Sequence, residues 1–174
     1  MALYALGDKT PTIHPTAFIH PDCTIIGDVT IGEKSSVWPQ AVLRGDASRI
    51  VVGARTSIQD GAVIHCTHDA ETHIGDDCVI GHLVHMEGCT IENVCLVGSG
   101  SIVLHNAIVR TGALVGAAAV VTNNTEVPSR AMALGVPAVI KLDRSDPELI
   151  KLNAAGYVWN GQLYRDKLRR ISEH

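Results

Sequence analysis

Between Leu43 and Ile91 the sequence concentrates side chains able to do chemistry. They are Arg44-Gly-Asp46, Gln59-Asp60-Gly61, Ile64-His65-Cys66-Thr67-His68, and Gly81-His82-Leu83-Val84-His85-Met86-Glu87-Gly88-Cys89. Imidazoles and carboxylates together are donors for a divalent transition-metal ion. Arg, Asp and Gln beside them are groups that orient a small polar substrate. Whether these residues meet depends on the elements that carry them, and those are set by the period of the chain.

Aliphatic residues recur every six positions: Ile13, Ile19, Ile25, Ile31, Val37 and Leu43, then Val52, Ile58 and Ile64 after a short insertion. A second insertion, roughly residues 66 to 73, precedes Ile74, Ile80 and Met86; the series then runs from Ile91 through Val97, Val103, Val109 and Val115 to Val121. Gly often follows the aliphatic residue, and four places after it comes a small one such as Cys23, Ala41, Ala62, Cys78 or Ala107. Six residues are too few for a helix pair and too many for simple alternation. The period fits a solenoid of short strands, each placing one aliphatic and one small side chain inward, with Gly helping the corner. Three strands make a triangular coil, and the registers give about six coils. The predicted fold class is all-β, a left-handed parallel β-helix over residues 1–142. Residues 143–174 are expected to form a C-terminal helical segment of the same domain, packed along the prism.

That segment opens with Ser145-Asp146-Pro147-Glu148, a cap, a first-turn Pro and an acid at the positive helix end. Leu149, Leu152, Tyr157, Leu163, Tyr164, Leu168 and Ile171 offer an apolar stripe, with Gly156 and Gly161 as expected kinks or a break. Before it, residues 134–138 read as a turn into a last extended piece, 139–142.

Register converts spacing into geometry. Counting in threes puts Leu43, Ile64 and Met86 on one face, so Arg44, His65 and Glu87 stack in a column about 4.8 Å apart per coil. The preceding face carries Ile58 and Ile80, and a second column of Asp60 and His82 with Gln59 beside it. One prism therefore keeps His82 away from His65 and Glu87. Three prisms about a threefold axis bring the columns together and set Arg44 against Asp60 of the neighbour. His14, His20, His105 and His174 have no such partners and read as surface.

Composition narrows the classes. Net charge is −4 and nothing suggests a nucleic-acid surface; no apolar run is long enough to span a membrane, and the N-terminus lacks a signal-peptide pattern. A cytoplasmic protein is expected. Phe, Trp and Tyr make up only 3% of the chain, which suits a core of thin aliphatic layers. Five cysteines form no CxxC pair, so neither a disulfide framework nor a thiolate zinc site is indicated. Small buried thiols are the expected role, with Cys66 singled out by its neighbour His65.

At these residues the sequence resembles the γ-class carbonic anhydrase family, in its compact hexapeptide-repeat form without a long acidic loop. The matching pieces are Val37-Trp-Pro-Gln-Ala-Val-Leu-Arg44-Gly-Asp46, Ser57-Ile-Gln59-Asp60-Gly, Ile64-His65-Cys-Thr-His68, Ile80-Gly-His82, Gly88-Cys-Thr-Ile, Leu134-Gly-Val-Pro-Ala138 and the helical tail. The resemblance covers nearly the whole chain. It implies a homotrimer with a divalent metal at each interface (zinc, or iron or cobalt) held by three His, two from one subunit and one from the next. It further implies reversible hydration of CO2 to bicarbonate. Carried over, His65 is the first ligand and His82 the neighbour's. Arg44, Asp46, Gln59 and Asp60 match the polar set that braces the interface and positions water and bicarbonate.

The third ligand departs from the pattern, because Glu87 stands where the family usually has His. Three readings compete: Glu87 ligates, His85 substitutes for it, or the site is lost. The stacked register favours the first. A carboxylate ligand cancels part of the cation's charge, so water held there is less acidic and hydration near neutral pH is slower. His68, Asp69, Glu71 and His73 are candidates for a proton shuttle. Alternative functions on the same fold are a hexapeptide-repeat acyltransferase, a metal-dependent thioesterase, and a non-catalytic metal-binding trimer.

Overall fold

The computed structural model describes residues 2–171; the chain's His174 lies outside the described residues. The chain forms a left-handed parallel β-helix of about seven turns followed by one α-helix, Pro147–Lys167. Three inward columns fill the prism. One runs Ile25, Leu43, Ile64, Met86, Val103, Val121. The second runs Ile31, Val52, Ile74, Ile91, Val109, Val127. The third runs Ile19, Val37, Ile58, Ile80, Val97, Val115, Ala133. Side chains of matching size stacked in register give dry aliphatic layers, which is why so few aromatic residues suffice. The turn count exceeds the expected six because Val127 and Ala133 keep their inward, fully buried places although the surrounding repeat has faded.

Two of the three faces are one continuous sheet. The strands Thr24–Ile31 and Val42–Val52 bend around the corner between them instead of breaking, with a register shift between Gly27 and Val29. The first insertion is therefore extended strand, and it brings the Asp46 carboxylate to 2.9 Å from the His65 ring. The second insertion is a short loop that returns to the sheet at Thr72–Ile74.

The glycines act differently from expectation. Gly32, Gly53, Gly75, Gly81, Gly98 and Gly116 do not have positive φ, whereas the left-handed corners are taken mostly by larger residues such as Lys34, Arg55, Asp77, Leu83, Val94 and Asn106. What these glycines provide is room: a Cβ on Gly98 would lie 2.5 Å from the Ala117 nitrogen, and one on Gly32 2.5 Å from the Gly53 carbonyl carbon. Successive coils touch backbone to backbone there, and only a missing side chain permits it.

The last strand, Val139–Lys141, turns back antiparallel against Met132–Leu134. The helix begins at Asp146, whose carboxylate accepts from the N–H groups of Glu148 and Leu149, with Pro147 next. It is unbroken through Gly156 and Gly161, and its buried residues are Ile150, Ala154 and Gly161. Leu149 and Leu152 face outward instead, so the expected stripe is rotated. The reason is aromatic. Tyr157 and Tyr164 close on Trp38 with ring centroids at 6.2 and 5.0 Å, and Phe18 joins at 5.3 Å from Trp38. At Gly161 the helix backbone packs on Phe18 and Ser36, where a Cβ would stand 3.4 and 3.5 Å from their Cβ atoms, an ordinary contact. The helix covers the third face, leaving the face that carries Arg44, His65 and Glu87 uncovered by it. Among the described residues no helix is long and apolar enough to cross a membrane.

Candidate metal centre

Strand pairing places Arg44 beside His65 and His65 beside Glu87 on consecutive coils. His65 sits between two carboxylates. Its Nδ1 is 2.8 Å from Glu87 Oε1 and its Nε2 is 2.9 Å from Asp46 Oδ1. An imidazole donates to both sides only with a proton on each nitrogen; a neutral ring points one lone pair at a carboxylate. A ring protonated on both nitrogens satisfies both carboxylates without a cation, whereas the neutral ring keeps one lone pair that could ligate one; the donor types, though not a closed cage in one chain, suit a divalent ion.

Asp46 is fixed from every side. Arg44 pairs with Oδ2, the Ala47 N–H donates to Oδ1 at 2.9 Å, and Lys9 donates to the Asp46 and Ala47 carbonyls. Partial desolvation raises its carboxyl pKa, but hydrogen bonds from His65, Arg44 and Ala47 and the Arg44 charge outweigh this, holding it at about 2. Glu87 is likewise lowered: desolvation opposes, while the His65 hydrogen bond and the facing His65, His105 and His85 prevail. Both groups are acceptors in their ionised form.

The second column also forms. His82 Nδ1 lies 3.0 Å from Asp60 Oδ2 at the corner before this face, which leaves Nε2 as the outward nitrogen. A carboxylate on the far nitrogen of an imidazole is the usual way a ligating His is oriented. Gln59 is buried and lines a cleft of about 250 Å³ with Gly81, His82, Gly98 and Tyr157, between prism and helix. Beside His82, Leu83 is 71% exposed, an unusual amount of apolar surface at a corner.

Within one chain Arg44 is engaged by Asp46 and not by Asp60. Among the described residues no group of three or more His, Cys, Asp or Glu converges into a cation cage in one chain. Cys66 is buried with its Sγ accepting from the Ser48 N–H at 3.3 Å, and all five thiols are buried and unpaired. In the second insertion, His73 Nε2 is 2.7 Å from Glu71.

One neighbour of the site escaped the sequence reading. His105 Nε2 lies 3.4 Å from Glu87 Oε2, and His85 Nε2 lies 3.7 Å from the same oxygen. His105 is therefore not isolated surface. The signal was available: Val103 follows Met86 in the same inward column, which puts Leu104 over Glu87 and His105 at the next corner.

Known proteins are similar to the chain over most of its length. The family profile described as bacterial transferase hexapeptide (six repeats) matches residues 10–45. The chain is 35% identical over 165 residues to the mitochondrial gamma carbonic anhydrase 2 of Arabidopsis thaliana, spanning 90% of this chain and 59% of that one. It is 37% identical over 149 residues to the carnitine operon protein CaiE of Escherichia coli K12, spanning 86% of this chain and 76% of the other. Among solved structures, a Bacillus cereus protein assigned as an acetyltransferase superposes with TM-score 0.91 at 35% identity, covering 95% and 97% of the two chains. A hexapeptide transferase family protein of Anaplasma phagocytophilum gives 0.89 at 34%, covering 94% and 98%.

Proposed function

Since the chain belongs to the hexapeptide-repeat family of γ-carbonic-anhydrase-like proteins, we propose that it is a metal-dependent homotrimer that hydrates CO2 reversibly, at a rate limited by Glu87. The observation that carries this reading is the stacked column Arg44–His65–Glu87 beside an outward His82 braced by Asp60. His65 and Glu87 of one subunit and His82 of the next would hold the ion, with His85 as the substitute third ligand. Zinc suits the donor set, and iron or cobalt also fit it. The ion supplies Lewis acidity that makes water nucleophilic near neutral pH.

The chain's own residues supply the rest. Asp46 stays ionised and fixes one nitrogen of His65, setting the ring's orientation. Arg44, half-exposed beside it, offers planar donors for the oxygens of bicarbonate. Gln59 lines the adjoining cleft and Asp60 holds His82. Exposed Leu83 next to His82 gives the neighbouring subunit an apolar contact. Five unpaired thiols suit a reducing compartment, and we place the protein in the cytoplasm.

A second reading is acyl transfer, favoured by the transferase assignments of the two structural relatives. Metal analysis of the purified oligomer with stopped-flow CO2 hydration separates the two. Stoichiometric metal with hydration above the uncatalysed rate supports the first. Metal-free protein that binds acetyl-coenzyme A supports the second, and metal without hydration leaves a hydrolase or a carrier.

A further inference from the structure

The C-terminal helix is apolar on two sides. Ile150, Ala154 and Gly161 are buried against the prism, with Tyr157 and Tyr164 closing on Trp38. On the opposite side Leu149, Leu152, Gly156, Trp159 and Leu163 follow one another in alternate steps of three and four. Leu149, Leu152 and Trp159 are 58%, 70% and 66% exposed, and a Cβ on Gly156 would meet nothing within 4 Å. A surface helix needs one apolar face. A second one with coiled-coil spacing is a seam that fits another helix.

The flanks of the seam say which helix. One carries Asp146, Asn153, Asn160 and Lys167 at steps of seven; the other carries Glu148, Ala155, Gln162 and, just past the helix end, Arg169. Both run from acid to base. Among the described residues, Glu148, Lys167 and Arg169 form no ion pair within the chain, and Asp146 uses only Oδ1 for its cap. In an antiparallel pair each flank meets the same flank of its partner. Two copies of this helix therefore set Asp146 against Lys167 and Glu148 against Arg169 at both ends. The same register puts Leu152 against Leu163 and seats the Trp159 ring on the bare backbone of Gly156. A parallel pair would put acid on acid and base on base. Acids at a helix start and bases at its end also suit the helix dipole, but the dipole does not require them on the flanks of an exposed apolar stripe. Mixed charge of this kind does not suit an anionic membrane, which selects a basic polar face.

We propose that this face is an isologous contact between two copies of the chain, their helices packed antiparallel about a twofold axis near Tyr157 and Val158. The seam includes none of Arg44, His65, His82, Leu83 or Glu87. It joins copies other than those around the threefold axis, and it rests on the helix and not on the metal reading.

Sedimentation velocity of the full chain over a wide range of concentration tests it. Native protein is expected to pass from the trimer to larger species as concentration rises. Leu152→Glu, and separately Trp159→Gln, should weaken that step by at least about tenfold while the trimer and the circular dichroism spectrum stay native. Glu148→Lys should weaken it too, and Arg169→Glu added to the same chain should restore it. The proposal is overturned if native protein keeps one size at every concentration, or if Leu152→Glu leaves the larger species unchanged. It is equally overturned if Arg169→Glu fails to restore association, or if Leu152→Glu breaks the trimer itself, which would put the seam on the threefold interface. Binding to phosphatidylglycerol vesicles that Leu152→Glu abolishes, with no change in mass, would overturn it in favour of a membrane. Failure of the trimer reading shows separately: the same concentration-dependent step then starts from a monomer and is still lost in Leu152→Glu.

Discussion

His82 stands on Asp60: the ring Nδ1 is 3.0 Å from the carboxylate on the coil beneath, with about half of each side chain open to solvent. This contact orients a nitrogen away from its own chain. Replacing Asp60 with Asn leaves the shape and weakens the hold on the ring. Metal affinity of the assembled protein should fall by about 10- to 100-fold with the oligomer intact, as measured by competition with a chromophoric chelator. Unchanged affinity would remove Asp60 from the site.

Glu87→His restores a neutral donor in the column above His65 and should raise the rate of CO2 hydration at neutral pH. Stopped-flow assays on both proteins, with metal content matched, decide it. An equal or lower rate in the variant would show that the carboxylate is not what limits turnover.

Much of this arrangement was legible because a solenoid turns sequence distance directly into position. Leu43, Ile64 and Met86 are spaced unevenly, yet counting strands in threes put Arg44, His65 and Glu87 into the column that the pairing shows. Asp146 and Pro147 announced the helix start. Side chains at corners and beyond strand ends were harder, since their direction depends on local φ. His105 reads as isolated in the sequence, although the same count places it one residue past the position over Glu87. The helix stripe was misplaced because Phe18 and Trp38, distant in sequence, decide which side docks.

The acid limb of stability should carry the mark of Asp46. Its pKa is depressed to about 2 in the folded chain, against about 3.9 when unfolded. Its contribution is therefore fully present above pH 4 and is lost as pH falls from about 4 to about 2. Urea titrations of metal-free protein and of Asp46→Asn at a series of pH values should show the gap between them closing over that window. A gap constant from pH 6 to pH 2.5 would refute it.

Gly98→Ala places a methyl 2.5 Å from the Ala117 nitrogen and 2.8 Å from the Gly116 carbonyl carbon. Overpacking against backbone should cost about 1–3 kcal/mol, and lower the melting temperature by about 2–4 °C for each kcal/mol. Gly156→Ala, in open space on the helix, should instead stabilise by about 0.5–1 kcal/mol. Thermal melts at equal protein concentration test both signs.

Leu83→Glu puts a charge on the exposed corner beside His82. If that corner is where copies of the chain meet, sedimentation should show the trimer dissociating while circular dichroism stays native. A trimer that survives would place the contact elsewhere.

The shared columns bear on how such a chain can change over generations. Each rung rests only on its neighbours, so duplication or loss of whole turns past Val121 would lengthen or shorten the prism and leave His65, Glu87 and His82 where they are. A deletion of six residues between Asp46 and Gln59 would do the opposite, rotating everything downstream by one face and scattering the constellation. Inheritance at this fold is thus tolerant at the far end and strict in the middle, where a single misplaced hexapeptide dismantles the centre without unfolding the rod.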